Sequence, residues 1–193
     1  MTQTSPRDPW FDPVRRRPAP VALVTAAVLA LLAWRLGPRP DLAAFAVLGL
    51  AGTLLAFIDA ELLRLPDPLT LPLPPALAVL LGAAALLGPD DGAPGTFRGA
   101  LYGMGALLLV YGLLWFAAPS QIGLGDVKLA PSLGLVLGWL GLEAFVTGIV
   151  AIHVLGGLWG AALLVTRRAG RGSSFPFGPF MLAGTLIAVL LHG

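Results

Sequence analysis

The sequence predicts an all-α protein, a polytopic integral membrane helical bundle of about seven transmembrane helices. Three observations predict it. The 193 residues are 57% hydrophobic and only 11% charged, too apolar for a surface that faces water on all sides. Apolar runs near or above ~18 residues, the length at which a helix crosses hydrocarbon, recur along the chain. Short stretches of Pro, Gly, Asp and Arg divide these runs, as expected of helix ends at a membrane surface. The net charge of +2 is too small to suggest a nucleic-acid partner. The absence of cysteine removes disulfides, thiolate nucleophiles and cysteine-built zinc sites. His153 and His192 are the only histidines, so neither a protein-built metal site nor a cofactor is expected.

Taken in order, residues 1–20 are rich in Pro and Arg and read as a disordered basic cytoplasmic tail, followed by a single membrane domain over 21–193. Arg15, Arg16 and Arg17 precede the first run, Val21 to Trp34. A second run follows almost at once, so the first reads as an uncleaved signal-anchor. The second, Leu42 to Ile58, ends at Asp59. Pro66-Asp67-Pro68 then signals a helix start, with Asp67 as the cap and Pro68 at the first helical position, where its missing donor costs nothing. This third run reaches about Gly88, and Pro72, Pro74 and Pro75 are expected to bend its early turns. Pro89 to Gly95 reads as a loop. The fourth run covers Phe97 to Ala118, where Gly99, Gly103, Gly105 and Gly112 allow close helix packing. After Asp126 a short fifth helix ends near Gly138, a sixth runs from about Glu143 to Val165, and a seventh from about Phe175 to Leu191. Whether residues 127–166 form two spans or one interrupted helix stays open at this level.

Lysine and arginine placement orients the chain. With seven spans and the N-terminus inside, the inside segments hold Arg7, Arg15, Arg16, Arg17, Arg64, Lys128, Arg167, Arg168 and Arg171, against Arg35, Arg39 and Arg98 outside. That bias predicts a cytoplasmic N-terminus. Asp59 follows the second span and Asp126 the fourth, so both return to the cytoplasmic face.

The chemistry concentrates in two places. Gln121-Ile122-Gly123-Leu124-Gly125-Asp126-Val127-Lys128 puts a carboxylate at a helix start beside two residues without side chains, which permit close backbone approach. Read alone, it is equally a turn with a capping aspartate. Asp59 closes an apolar run, where an acid is expensive and marks a functional or paired site; the plainer reading is a residue at the water interface. Held together, two carboxylates cannot both ionise, and a pair sharing one proton is equipped to activate water against a peptide carbonyl. Glu61 reads as a solvated loop residue, Lys128 as a counter-charge or an interfacial lysine, and Gln121 as a substrate contact or a loop cap. His153 suggests a hydrogen bond between helices, and His192 nothing in particular.

Asp59, then Pro66-Asp67 with Leu69-Thr70-Leu71-Pro72, then Gly123-Leu124-Gly125-Asp126-Val127-Lys128, then Phe175-Pro176-Phe177-Gly178-Pro179-Phe180, together resemble the type IV prepilin peptidase family. A lone Gly-x-Gly-Asp is a weak signal, whereas these motifs in this order and topology are a strong one, covering residue 45 to the C-terminus. The resemblance implies a membrane aspartyl protease with Asp59 and Asp126 as its catalytic dyad. It implies cleavage of the basic leader of prepilin or pseudopilin precursors after a glycine, at the cytoplasmic face of the bacterial inner membrane. Gly123, Gly125, Gln121, Lys128 and Asp67 are the expected substrate-binding residues. Longer members carry a cysteine-containing cytoplasmic segment linked to N-methylation, and that pattern is not found here, so cleavage is expected and methyl transfer is not. The rival readings are a small proton-coupled transporter, which places its acids near mid-membrane, and a non-catalytic scaffold, which needs neither aspartate.

Overall fold

The computed structural model describes residues 9–87, 93–119, 122–166 and 175–193. Among them every regular element is helical. A 3₁₀ turn at Pro9–Phe11 leads into α1 (Asp12–Arg16), α2 (Pro18–Leu36) and α3 (Leu42–Leu62). Then follow α4 (Asp67–Thr70), α5 (Leu73–Leu87), α6 (Ala93–Ala117), α7 (Leu124–Leu140), α8 (Leu142–Val165) and α9 (Gly178–His192). Among the described residues five spans are long and apolar enough to cross a membrane: α2, α3, α4 with α5, α6 and α8. Their outward faces stay apolar, with Leu86 87% and Val165 82% exposed, a surface suited to lipid rather than water. The chain is thus a multi-pass membrane protein. Besides the short α1, two further helices are shorter, α7 with 17 residues and α9 with 15. At ~1.5 Å per residue both fall short of a ~30 Å hydrocarbon core.

Helix α7 is the axis of the bundle. It packs against α3, α4, α5, α6, α8 and α9, and every residue from Leu129 to Gly138 is buried. A helix enclosed on all sides needs no polar face, which is why its sequence shows little amphipathic pattern. Its closest neighbour is α6. A Cβ at Gly99 would stand 2.7 Å from the Gly138 carbonyl oxygen, and Gly103 and Gly134 approach even more closely. Of the four glycines expected to mediate packing on α6, Gly99 and Gly103 do so, whereas Gly105 and Gly112 face open space. The residues after Asp126 form two helices, not one. They are joined through Gly141 alone, whose φ of +102° is a conformation L side chains rarely adopt.

Two other expectations change in detail. The prolines after Thr70 break the third run rather than bend it, ending α4 and restarting the chain as α5 at Leu73. The stretch expected as a tail is helical where it is described, from Pro9 to Arg16, with Arg15 stacked over the Phe11 ring.

Each end of the bundle is tied by polar contacts. At one end Arg17 pairs with Glu61 at 3.1 Å, so Glu61 is anchored rather than free in a loop. At the other, the Arg35 guanidinium donates to the carbonyls of Leu190 and Leu191, and His192 lies 2.9 Å from the Thr147 hydroxyl. There too Asp41 accepts from Arg39 at 2.6 Å and from the Trp139 indole at 2.8 Å. Burial works against the charged form of Asp41, but these donors prevail and hold its pKa below the usual carboxylate range.

Candidate active site

Asp59 sits in the last turn of α3. The helix is stopped just beyond it by Leu63, whose φ of +50° is left-handed. For a residue with a Cβ that conformation costs about 1 kcal/mol. It turns the chain sharply, so that Leu65 folds back toward the bundle and is buried. Asp59 itself is 5% exposed. Its Oδ2 accepts a hydrogen bond of 3.0 Å from the backbone N–H of Gly178, the first residue of α9. A Cβ at position 178 would stand 2.9 Å from that same oxygen, so only glycine lets α9 reach the carboxylate undisturbed.

Asp126 comes from the opposite direction, in the first turn of α7 behind its N-cap Gly123. It is 8% exposed. Its Oδ2 lies 3.1 Å from where a Cβ on Gly123 would stand. The space over Gly125 belongs to Leu65, whose Cβ lies 2.9 Å from a Cβ built there. Leu65 also reaches within 3.3 Å of the Cβ position on Gly178. One leucine is therefore wedged between the start of α7 and the start of α9, and glycines on both sides make room for it. The end of α3, the start of α7 and the start of α9 converge on it, and Asp59 and Asp126 come within Coulombic reach of each other.

The remaining candidates divide. Asp67 does not cap its helix. Pro66 is the N-cap, without a side-chain cap bond, and the Asp67 carboxylate instead accepts from Lys128 at 2.6 Å. The proline on either side of Asp67 fixes the turn, which leaves the carboxylate free to reach α7. Lys128 is thus tied to Asp67, joining α4 to α7. Gln121 lies outside the described residues. The expected bond between helices from His153 is replaced by one within α8, from Nδ1 to the Ile149 carbonyl at 2.8 Å, and the ring packs against Tyr111 and Phe177. Among the described residues no three His, Asp or Glu side chains cluster as a metal ion would require.

Tyr111 is the residue that sequence reasoning missed. It lies on α6, 1% exposed, with its ring 6.4 Å from that of Phe177. Its hydroxyl has no hydrogen-bond partner among the described residues and is within Coulombic reach of Asp126. In the sequence it is one aromatic among many apolar neighbours, and nothing in the local pattern distinguishes it.

Paired buried carboxylates at one end of a membrane helix bundle define the general class, a membrane protein with a two-acid centre. Comparison with known proteins is more specific. Residues 42–165 match the type IV leader peptidase family, and the chain belongs to that family. It is 31% identical over 184 residues to a prepilin leader peptidase/N-methyltransferase of Aeromonas hydrophila, covering 92% of this chain and 59% of that protein. A Pseudomonas putida protein of the same name is 33% identical over 176 residues, covering 89% of this chain and 58% of its own length. One from Bacillus subtilis is 30% identical over 168 residues, covering 87% and 63%. The chain thus spans somewhat more than half the length of these relatives. No solved structure matches it.

Proposed function

We propose that this chain is an aspartyl endopeptidase of the bacterial inner membrane that removes the leader of prepilin or pseudopilin precursors after a glycine, at the cytoplasmic face. The observation that carries the reading is the convergence of two buried aspartates, from α3 and α7, within the stretch that matches the leader peptidase family. Arginine and lysine placement supports the cytoplasmic face. The position of both acids at helix ends favours a surface reaction over a proton relay through the bilayer, which needs acids at mid-depth.

In this mechanism Asp59 and Asp126 share one proton and bind the attacking water between them. The ionised partner takes a proton from water while the protonated one supplies the substrate, and the roles exchange as the intermediate collapses. The Gly178 N–H holds Asp59 in place. Gly123, exposed at the start of α7, leaves room for an extended substrate strand beside Asp126. Gly125 acts indirectly by seating Leu65, the Asp67–Lys128 pair ties α4 to α7, and Gln121 is kept as a substrate contact in this reading. The apolar helix of the precursor would lie in the bilayer against the bundle.

A gel-shift assay in membranes carrying this protein and a prepilin from the same genome tests the reading. Wild type should shorten the precursor and Asp126→Asn should not. Mass spectrometry of the new N-terminus reports the cleavage point and any added methyl group. A folded wild-type protein that leaves every cognate precursor intact would overturn the proposal.

A further inference from the structure

We infer that Tyr111 is a further catalytic residue, whose hydroxyl donates a hydrogen bond to the oxygen of the scissile carbonyl. The inference rests on the peptidase reading above and assigns a role to a residue that reading does not use. Burying a phenol without a partner costs about 1–3 kcal/mol, and such hydroxyls are rarely left orphaned in a core. Tyr111 is buried, its hydroxyl lacks a partner among the described residues, and its ring packs in a cluster with two others. Those rings are His153 at 6.2 Å and Phe177 at 6.4 Å between centroids. Phe177 is the N-cap of α9, directly before the Gly178 N–H that holds Asp59. The same packing that positions one aspartate therefore positions the phenol, while Asp126 lies within its electrostatic reach without bonding to it. A donor held within reach of Asp126 and bonded to neither acid is placed for a group that arrives with the substrate.

The step balances without an added reactant. Water bonds to the carbonyl carbon and gives one proton to the ionised carboxylate. The carbonyl π pair moves onto its oxygen, which takes the proton of the other carboxyl. On collapse the C–N bond breaks, and the amine nitrogen takes a proton from the newly protonated acid. The diol then returns one proton to the other acid. Tyr111 keeps its own proton throughout and binds the oxygen more tightly as negative charge builds on it.

The test is Tyr111→Phe in the full chain, with precursor cleavage followed as kcat and KM. Tyr102→Phe, on the same helix but 76% exposed, serves as the control. The expected result is a loss in kcat of at least about tenfold, toward the ~10²–10³ of a lost oxyanion donor, with KM and the pH limbs unmoved. Tyr102→Phe should behave as wild type. Wild-type kcat in Tyr111→Phe, while Asp126→Asn is dead, would overturn the role of Tyr111 and leave the peptidase reading standing. Should Tyr111→Phe unfold, 3-fluorotyrosine in the Tyr102→Phe background labels position 111 alone. Its fluorine resonance should shift when the cleavage-dead Asp126→Asn chain binds precursor. A resonance that saturating precursor leaves unmoved would refute the inference.

Discussion

Replacing Gly178 with alanine presses chiefly on the support of Asp59, with a lesser contact to Leu65 at 3.3 Å. The new Cβ would stand 2.9 Å from Asp59 Oδ2, against about 3.4 Å for ordinary contact. The carboxylate must therefore retreat by roughly half an ångström, stretching its 3.0 Å bond from the Gly178 N–H to about 3.5 Å, where little hydrogen bonding remains. The φ of Gly178 is not in the left-handed region, so alanine brings no backbone strain of its own. Losing a hydrogen bond to a charged group costs about 1.5–3 kcal/mol. If that bond serves the reacting geometry, kcat falls roughly 10- to 150-fold. Precursor cleavage in membranes, normalised to folded protein, measures this. Gly112→Ala is the control, since a Cβ there meets nothing. Wild-type kcat in Gly178→Ala, with the protein folded, would refute the idea that α9 positions Asp59.

Gly138→Ala drives a Cβ into the Gly99 carbonyl at the α6–α7 crossing and should destabilise by about 1–3 kcal/mol or more, seen as a lower melting temperature in detergent, while Gly105→Ala should not. Asp67→Asn removes an ion pair whose members are 55% and 26% exposed, so cleavage should fall by less than about fivefold; complete loss in a folded protein would make Asp67 part of the chemistry. Asp41, whose folded pKa is depressed, contributes stability present above its unfolded value near ~3.9 and lost as pH falls through the folded value. Acid denaturation in detergent should therefore show a loss of stability below about pH 4 in wild type that Asp41→Asn lacks.

Much of this was legible in the sequence, for physical reasons that differ by residue. Asp59 and Asp126 stood out because a charge bordering a long apolar run needs a reason. The five membrane-length spans were legible because they are punctuated by Pro, Gly and charge, whereas α7 and α9, also expected as spans, are shorter. What the sequence does not carry is which distant residues meet. Gly178 and Asp59 are 119 positions apart, and Trp139 and Asp41 are 98 apart; neither pairing has a local signature. The glycines of α6 all look alike, and only the position of α7 separates Gly99 and Gly103, which pack, from Gly105 and Gly112, which do not. Asp67 looked like a cap because Asp is a good one, and tertiary attraction to Lys128 prevailed over that local preference.

The central claim is that Asp59 and Asp126 act as one unit. The most direct test compares precursor cleavage by wild type, Asp59→Asn, Asp126→Asn and the double variant, with membrane insertion checked for each. The account predicts that each single variant loses activity by about 10²–10⁴ or more and that the double is no worse than either, because half of a shared-proton pair does no work. Substantial cleavage by either single variant, or losses that add in the double, would contradict it.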